Sequence, residues 1–297
     1  MTFPLFLQHL ANAISLGSLY ALIAIGYTMV YGILRLINFA HGDIFMMGAY
    51  VAFYGILLIS LPWWLAFAVA VLLTSFIGIL IDRGAYRPLR SAPRISALIS
   101  AIGVSFFLQN FAIVVFSGRP KAFFRPPLFT RVFVIKGVNI LSVTFFIPVI
   151  AFISLAALSY IIYRTKPGLA MRAVSHDMET ARIMGVDVDR TIALTFALGS
   201  GLAAIGGIMW GLRYPQIQPL MGVIPGLKAF VAAILGGIGS VPGAMIGGFV
   251  LGLAEIMLVA FAPALAGYRD AFAFLILIVV LLLRPTGILG RRLEEKV

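Results

Sequence analysis

Few residues in this 297-residue chain could do chemistry. Four of them stand among apolar neighbours: Asn38, His41, Asp43 and Glu255. An ionisable side chain at membrane depth is costly and is a functional candidate by default. Glu255 interrupts an otherwise apolar stretch, with a Gly-rich break before it. It either pairs with a basic residue such as Arg213 or Arg269, or lines a solute pathway. Asn38 and Asp43 either cap the start of a helix or face that pathway together with His41. His176 and Glu179 stand three apart, but two ligands do not make a metal site, and none is expected. There is no cysteine, which excludes disulfides and thiolate chemistry. Acid, base and nucleophile residues are not clustered, so an enzyme is not expected.

ATP hydrolysis is not expected of this chain either. A phosphate-binding loop needs Lys followed by Ser or Thr, after a Gly-rich turn. The lysines, Lys121, Lys136, Lys166, Lys228 and Lys296, are followed by Ala, Gly, Pro, Ala and Val.

The elements that must position these residues are read from composition and hydropathy. Hydrophobic residues make up 62% of the chain and charged residues 11%, against about 45–50% and about 25% in soluble domains. That much apolar surface needs the bilayer as its solvent. The formal charge is +12, and 18 of the 22 basic residues fall in the stretches 82–94, 117–140, 164–190 and 284–297. Basic loops beside spans set topology and meet anionic lipid, and no nucleic-acid module is visible. The first 34 residues carry no Lys, Arg, Asp or Glu, which predicts a retained span rather than a cleaved signal.

Apolar runs predict spans at 10–34, 44–60, 63–81, 95–117, 141–163, 191–212 and 243–261, and a last one ending at Leu283. A short or re-entrant helix is expected to about 238, because Gly236, Gly237, Gly239 and Pro242 break the run beyond it. The fold expected is an all-α polytopic bundle of about eight or nine spans, forming one transmembrane domain over residues 1–297. Small residues recur every four positions at Gly199, Ala203, Gly207 and Gly211, and again at Gly243/Gly247 and Gly248/Gly252. That spacing predicts close helix packing. Arg83, Arg87, Arg90 and Arg94, then the basic residues of 164–190 and the tail residues Arg291, Arg292 and Lys296, place those stretches inside. Alternation then puts 117–140 outside, despite its five basic residues.

The longest polar segment with helical character is 165–188. Residues 170–184 lack Pro and Gly, and Gly185 is a natural stop. It reads as a short helix that either lies solvated or docks onto a partner.

Glu179-Thr180-Ala181 followed by Gly185 is similar to the cytoplasmic loop of bacterial ABC-importer permeases. The chain as a whole resembles the LivH-type permeases of branched-chain amino-acid uptake systems. The matching stretches are 17–32, Ile37–Asp43, Ala85–Arg90, Lys228–Phe230 with Leu235–Ser240, and Arg284–Gly290. Thr180 and the absent Ile-x-Leu-Pro tail depart from the general loop pattern. The resemblance implies a permease subunit of an ATP-driven importer for branched-chain or other neutral amino acids, in the bacterial inner membrane. It implies a second, LivM-like permease, two ATPase subunits that bind ATP and Mg, and a periplasmic substrate-binding protein. No cofactor is implied in this chain. The coupling segment implied is 165–188, with Gly168, Arg172, Asp177, Glu179, Ala181 and Gly185. Two other readings are an ion-coupled transporter using Asp43 or Glu255 as proton site, and an ABC permease for urea or amides.

Overall fold

The computed structural model describes residues 2–135, 138–284 and 286–290. Helices dominate. They are α1 (Phe3–Leu34), α2 (His41–Leu57), α3 (Trp63–Ile81), α4 (Arg94–Phe116), α5 (Ser142–Arg164), α6 (Lys166–His176), α7 (Met178–Ile183), α8 (Val188–Arg213), α9 (Val223–Gly236), α10 (Val241–Phe261) and α11 (Arg269–Leu283). Starts are written in residue types. Pro62 and Pro93 immediately precede α3 and α4, where a missing N–H costs nothing. Asp187 caps α8 by accepting from the Arg190 N–H, and Ser240 caps α10 by accepting from the Gly243 N–H.

Among the described residues, seven helical stretches are long and apolar enough to cross a membrane; α2, with 17 residues, and the shorter α9 are apolar as well. The expected spans are therefore present, with one difference. The first helix begins at Phe3 rather than near residue 10. The short helix expected to about 238 runs from Val223 to Gly236, with Lys228 buried inside it.

α1 is the hub. Its most apolar window is 94% buried, against 17% for α5 and 6% for the stretch containing α11. It packs on α10, α8, α9 and α5. Lipid offers no hydrophobic gain for helix association, so close contact must supply it. A Cβ on Gly248 of α10 would stand 2.6 Å from Ala21 Cα of α1. Gly247, on the neighbouring face of α10, meets the Ala232 carbonyl of α9 instead. On α8, Gly199 faces Gly26 of α1, Gly207 faces the Phe45 carbonyl of α2, and Gly211 faces the Phe123 ring. The expected small-residue stripes are contact faces.

Two short pairings were not anticipated in an all-α chain. β1 (Lys121–Ala122) pairs antiparallel with β4 (Gln216–Ile217), Lys121 opposite Ile217. β2 (Val132–Ile135) and β3 (Val138–Leu141) form a hairpin, Val132 opposite Leu141. They fold the 117–140 stretch over one end of the bundle, where Arg125 donates through Nε to the Leu212 carbonyl at 2.6 Å. The 82–94 stretch lies at the other end of α8, where Arg87 bonds Asp189 at 2.7 Å. The two basic regions thus occupy opposite ends, as alternation required. Past α11 the chain returns to α9, with the Ile288 N–H donating to the Leu235 carbonyl and the Leu289 N–H to that of Gly236, both 2.9 Å. Pro285, Lys136 and the tail residues Arg291, Arg292 and Lys296 lie outside the described residues.

Candidate functional site

Two regions gather the polar residues singled out by sequence. The first is the link between α5 and α8. It is not one helix over 170–184 but two, because Asp177 leaves helical geometry (φ −157°, ψ 114°) and caps α7. Its Oδ1 accepts from the N–H groups of Glu179 at 2.9 Å and Thr180 at 3.0 Å. Asp favours that capping role over a helix interior. Gly185 closes α7 with φ +85°, and the Val186 N–H donates back to the Ala181 carbonyl at 3.0 Å. A stop in the left-handed region is glycine's usual one.

The six residues expected to dock divide into two sets. Gly168 and Ala181 are buried anchors, beside Met171 and Val174. A Cβ on Gly168 would meet the α5 backbone, 2.6 Å from the Ile162 carbonyl carbon. Arg172, Glu179 and Gly185 face outward, and Asp177 holds the joint between the helices. The Arg172 guanidinium lies over the Tyr163 ring, 5.7 Å from its centre. Three outward apolar side chains escaped the sequence reading: Leu169, Ile183 and Met184, the last two 80% and 78% exposed. The signal was available, since an Ile-Met pair at the end of so polar a segment has no amphipathic reason to face the bundle.

α8 carries this segment directly into the bundle. At its first turn Asp189 accepts from Arg87 and Arg90, and Arg90 also bonds Asp82 at 2.6 Å. The ends of α3 and α8 are tied together beside α6 and α7.

The second region lies inside the helical bundle. α2 is capped by Ala40, without a side-chain hydrogen bond. Asn38 and Asp43 are engaged elsewhere, so the capping reading does not hold. Asn38 Oδ1 accepts from the Tyr86 hydroxyl at 2.9 Å. Asp43 accepts from Ser105 Oγ at 2.5 Å and Gln109 Nε2 at 3.1 Å, both on α4. The His41 ring packs on Tyr27, 4.5 Å between centres, and covers Gly26, where a Cβ would come within 2.5 Å of it. All three are at most 2% exposed. His41 and Asp43 bind α2 to α1 and α4, and Asn38 ties the link between α1 and α2 to Tyr86, just past α3.

Glu255 follows the pairing reading, with a partner the sequence reading overlooked. Lys228 Nζ of α9 stands 2.9 Å from Glu255 Oε1, and both side chains are buried. The Tyr20 hydroxyl of α1 donates to Oε2 at 3.1 Å. Arg269 Nε lies 3.5 Å away and Lys228 also meets Asp270 at 2.6 Å. Arg213, the other expected partner, instead donates to Ser15 Oγ at 2.8 Å. A lone Lys and a lone Glu in consecutive apolar helices were the clue, since each needs the other's charge.

A helical bundle with a small-residue core, buried polar ties and one protruding polar helix pair is the architecture of a membrane permease. The comparisons agree. The family described as "Branched-chain amino acid transport system / permease component" matches residues 9–281. The chain is 46% identical over 307 residues to the high-affinity branched-chain amino acid transport system permease protein BraD of Pseudomonas aeruginosa, covering 98% of each. It is 44% identical to the corresponding LivH protein of Escherichia coli K12, covering 99% of each. A probable LivH of Methanocaldococcus jannaschii is 30% identical over 95% of this chain and 91% of its own. Among solved structures, PsaBC from Streptococcus pneumoniae in complex with Fab shares the fold, with TM-score 0.50 and 14% identity, covering 94% of this chain and 92% of that one. The chain therefore belongs to the branched-chain amino acid transport permease family. It is a multi-pass membrane protein and a permease component of a transporter.

Proposed function

We propose that the chain is one of two permease subunits of an ATP-driven importer for branched-chain or other neutral amino acids, in the bacterial inner membrane. Its partners are a second, LivM-like permease, two ABC ATPases that bind ATP and Mg, and a periplasmic binding protein. Residues 1–297 act as one permease domain, and this chain hydrolyses no ATP.

The α6–α7 segment carries this reading. It is a short, polar helix pair on the end that the arginines mark as cytoplasmic, and it presents Leu169, Ile183 and Met184 to solvent. Exposed apolar anchors on a short helix are what a partner groove accepts. The segment runs into α8 through residues 184–187, and Arg90 ties Asp189 of α8 to Asp82 at the end of α3. Motion of a docked ATPase would pass to α8 and α3 as rigid bodies, the usual form of such coupling. Arg172, Glu179, Ile183 and Met184 make the contact; Gly168, Asp177, Ala181 and Gly185 hold its shape. Asn38, His41 and Asp43 set the position of α2 beside the pathway. An ion-coupled mechanism through Glu255 is disfavoured, because Lys228 already neutralises that carboxylate.

The test is purification of the chain under mild detergent, followed by reconstitution with what accompanies it. Co-purification of a second permease and two ATPases, and leucine uptake that needs ATP and a binding protein, is expected. Uptake by the chain alone, driven by a proton gradient, would overturn the reading.

A further inference from the structure

Beside the Glu255 cluster lies a cavity of about 290 Å³. It is near the lower bound of ordinary ligand pockets, about 300–1,000 Å³, a size for a small solute. Its wall includes Trp210, Met221, Ile224, Lys228, Arg269 and Asp270. Trp210 stands near the end of α8 remote from α6 and α7, on the half of the bundle read as external.

The wall has two chemical halves. One is charged. Lys228 Nζ sits 2.6 Å from Asp270, whose side chain is 51% exposed, while Lys228 itself is 2% exposed. Arg269 is 43% exposed and leans on the buried Glu255 at 3.5 Å. Lys228, Arg269 and Asp270 line the wall with the buried Glu255 behind them, and the four charges cancel. A solute with net charge of either sign would be drawn to one of the two exposed groups, Arg269 and Asp270, and repelled by the other. A dipolar one finds both signs: its carboxylate fits the half-exposed Arg269 and its ammonium fits the half-exposed Asp270, each by charge-assisted hydrogen bonds. The other half is apolar. Trp210 is held by Phe45, 5.9 Å between ring centres, and by Tyr214 at 4.8 Å. Ile224 remains 44% exposed. That surface suits an aliphatic side chain.

We propose that this cavity is a solute subsite on the permease itself, and that it binds an aliphatic α-amino acid as its zwitterion. The choice of an amino acid rests on the importer reading; the selection for a dipole rests on the exposed pair Arg269 and Asp270.

The experiment uses the assembled transporter in nanodiscs, without its binding protein, and measures radiolabelled leucine bound at equilibrium. Unlabelled 4-methylpentanoate, which lacks the ammonium, and leucinamide, which lacks the carboxylate, serve as competitors. For the wild type, leucine is displaced by valine and isoleucine and by neither analogue. Asp270→Asn should weaken leucine about tenfold or more and bring it level with 4-methylpentanoate. Arg269→Gln should do the same relative to leucinamide. These exchanges of preference distinguish contact with solute from a structural role. Met221→Trp, which fills the apolar half, should abolish binding in an assembly that still co-purifies. Wild-type affinity and preference in Asp270→Asn and Arg269→Gln would overturn the subsite, as would absence of saturable leucine binding in a wild type that imports leucine. A wild type that imports no neutral amino acid with ATP would instead overturn the importer reading.

Discussion

Lys228 and Glu255 meet 2.9 Å apart between α9 and α10, neither side chain more than 2% exposed. Two charges in apolar surroundings are tolerable only as a pair, since each alone carries a large desolvation cost. The pair fixes α9 against α10, and Tyr20 adds α1 to the same joint.

Lys228→Met should therefore destabilise the chain by about 3–5 kcal/mol, because it leaves the buried carboxylate only the more distant, half-exposed Arg269 as a cation. Lys228→Met with Glu255→Gln should recover a large part of that loss. Thermal unfolding in detergent checks both. Equal loss in the single and double variants would show that the pair is not what holds the joint.

The contact of α1 with α10 predicts a sharp contrast between glycines. Gly248→Ala places a methyl 2.6 Å from Ala21 Cα and forces the helices apart, at about 1–3 kcal/mol. A Cβ at Gly103 of α4 meets nothing within 4 Å, so Gly103→Ala should be neutral or stabilise by up to about 1 kcal/mol. Melting temperatures of the two variants decide the matter.

The arginines at the base of α8 should differ as well. Arg87 is 53% exposed on its side chain, and Arg87→Ala should cost about 0–1 kcal/mol. Arg90→Ala leaves Asp82, 1% exposed, without its cation, and should cost about 3–5 kcal/mol. Denaturation of the purified variants gives the ranking, and equal costs would contradict it.

The α6–α7 surface separates docking from folding. Ile183→Asp, at an 80% exposed position, should change stability by less than about 0.5 kcal/mol. It should lower ATP-coupled uptake about tenfold or more, as loss of an interface anchor does. Ala181→Arg should instead unfold α7, because Ala181 is 4% exposed. Circular dichroism alongside uptake in proteoliposomes tells the two apart. Normal coupling in Ile183→Asp would remove that residue from the interface.

Much of this was legible in the sequence, for physical reasons that also mark where legibility ends. Spans follow from length and hydropathy, and the small-residue stripes on α8 and α10 follow from a four-residue period. The pairing of Lys228 was not legible, because its partner Glu255 lies 27 positions away in another helix. Asp177 misled because helix propensity is a weak guide where one side chain can cap the next helix. The pairing of Lys121 with Ile217 involves strands of two residues, too short to leave a periodic trace. Ala181 and Ile183 differ in role only through burial against neighbouring elements, which local spacing does not encode.

Tyr20 and Glu255 stand 235 positions apart, and that distance governs how the protein is made. α1 leaves the ribosome first, yet the helix it packs on most closely is among the last. At roughly 5–20 residues per second, α1 waits on the order of 10–50 s for α10. During that interval its glycine-lined face has no partner, so any chain cut short before α10 exposes an uncompleted groove to the insertion and quality-control machinery of the membrane.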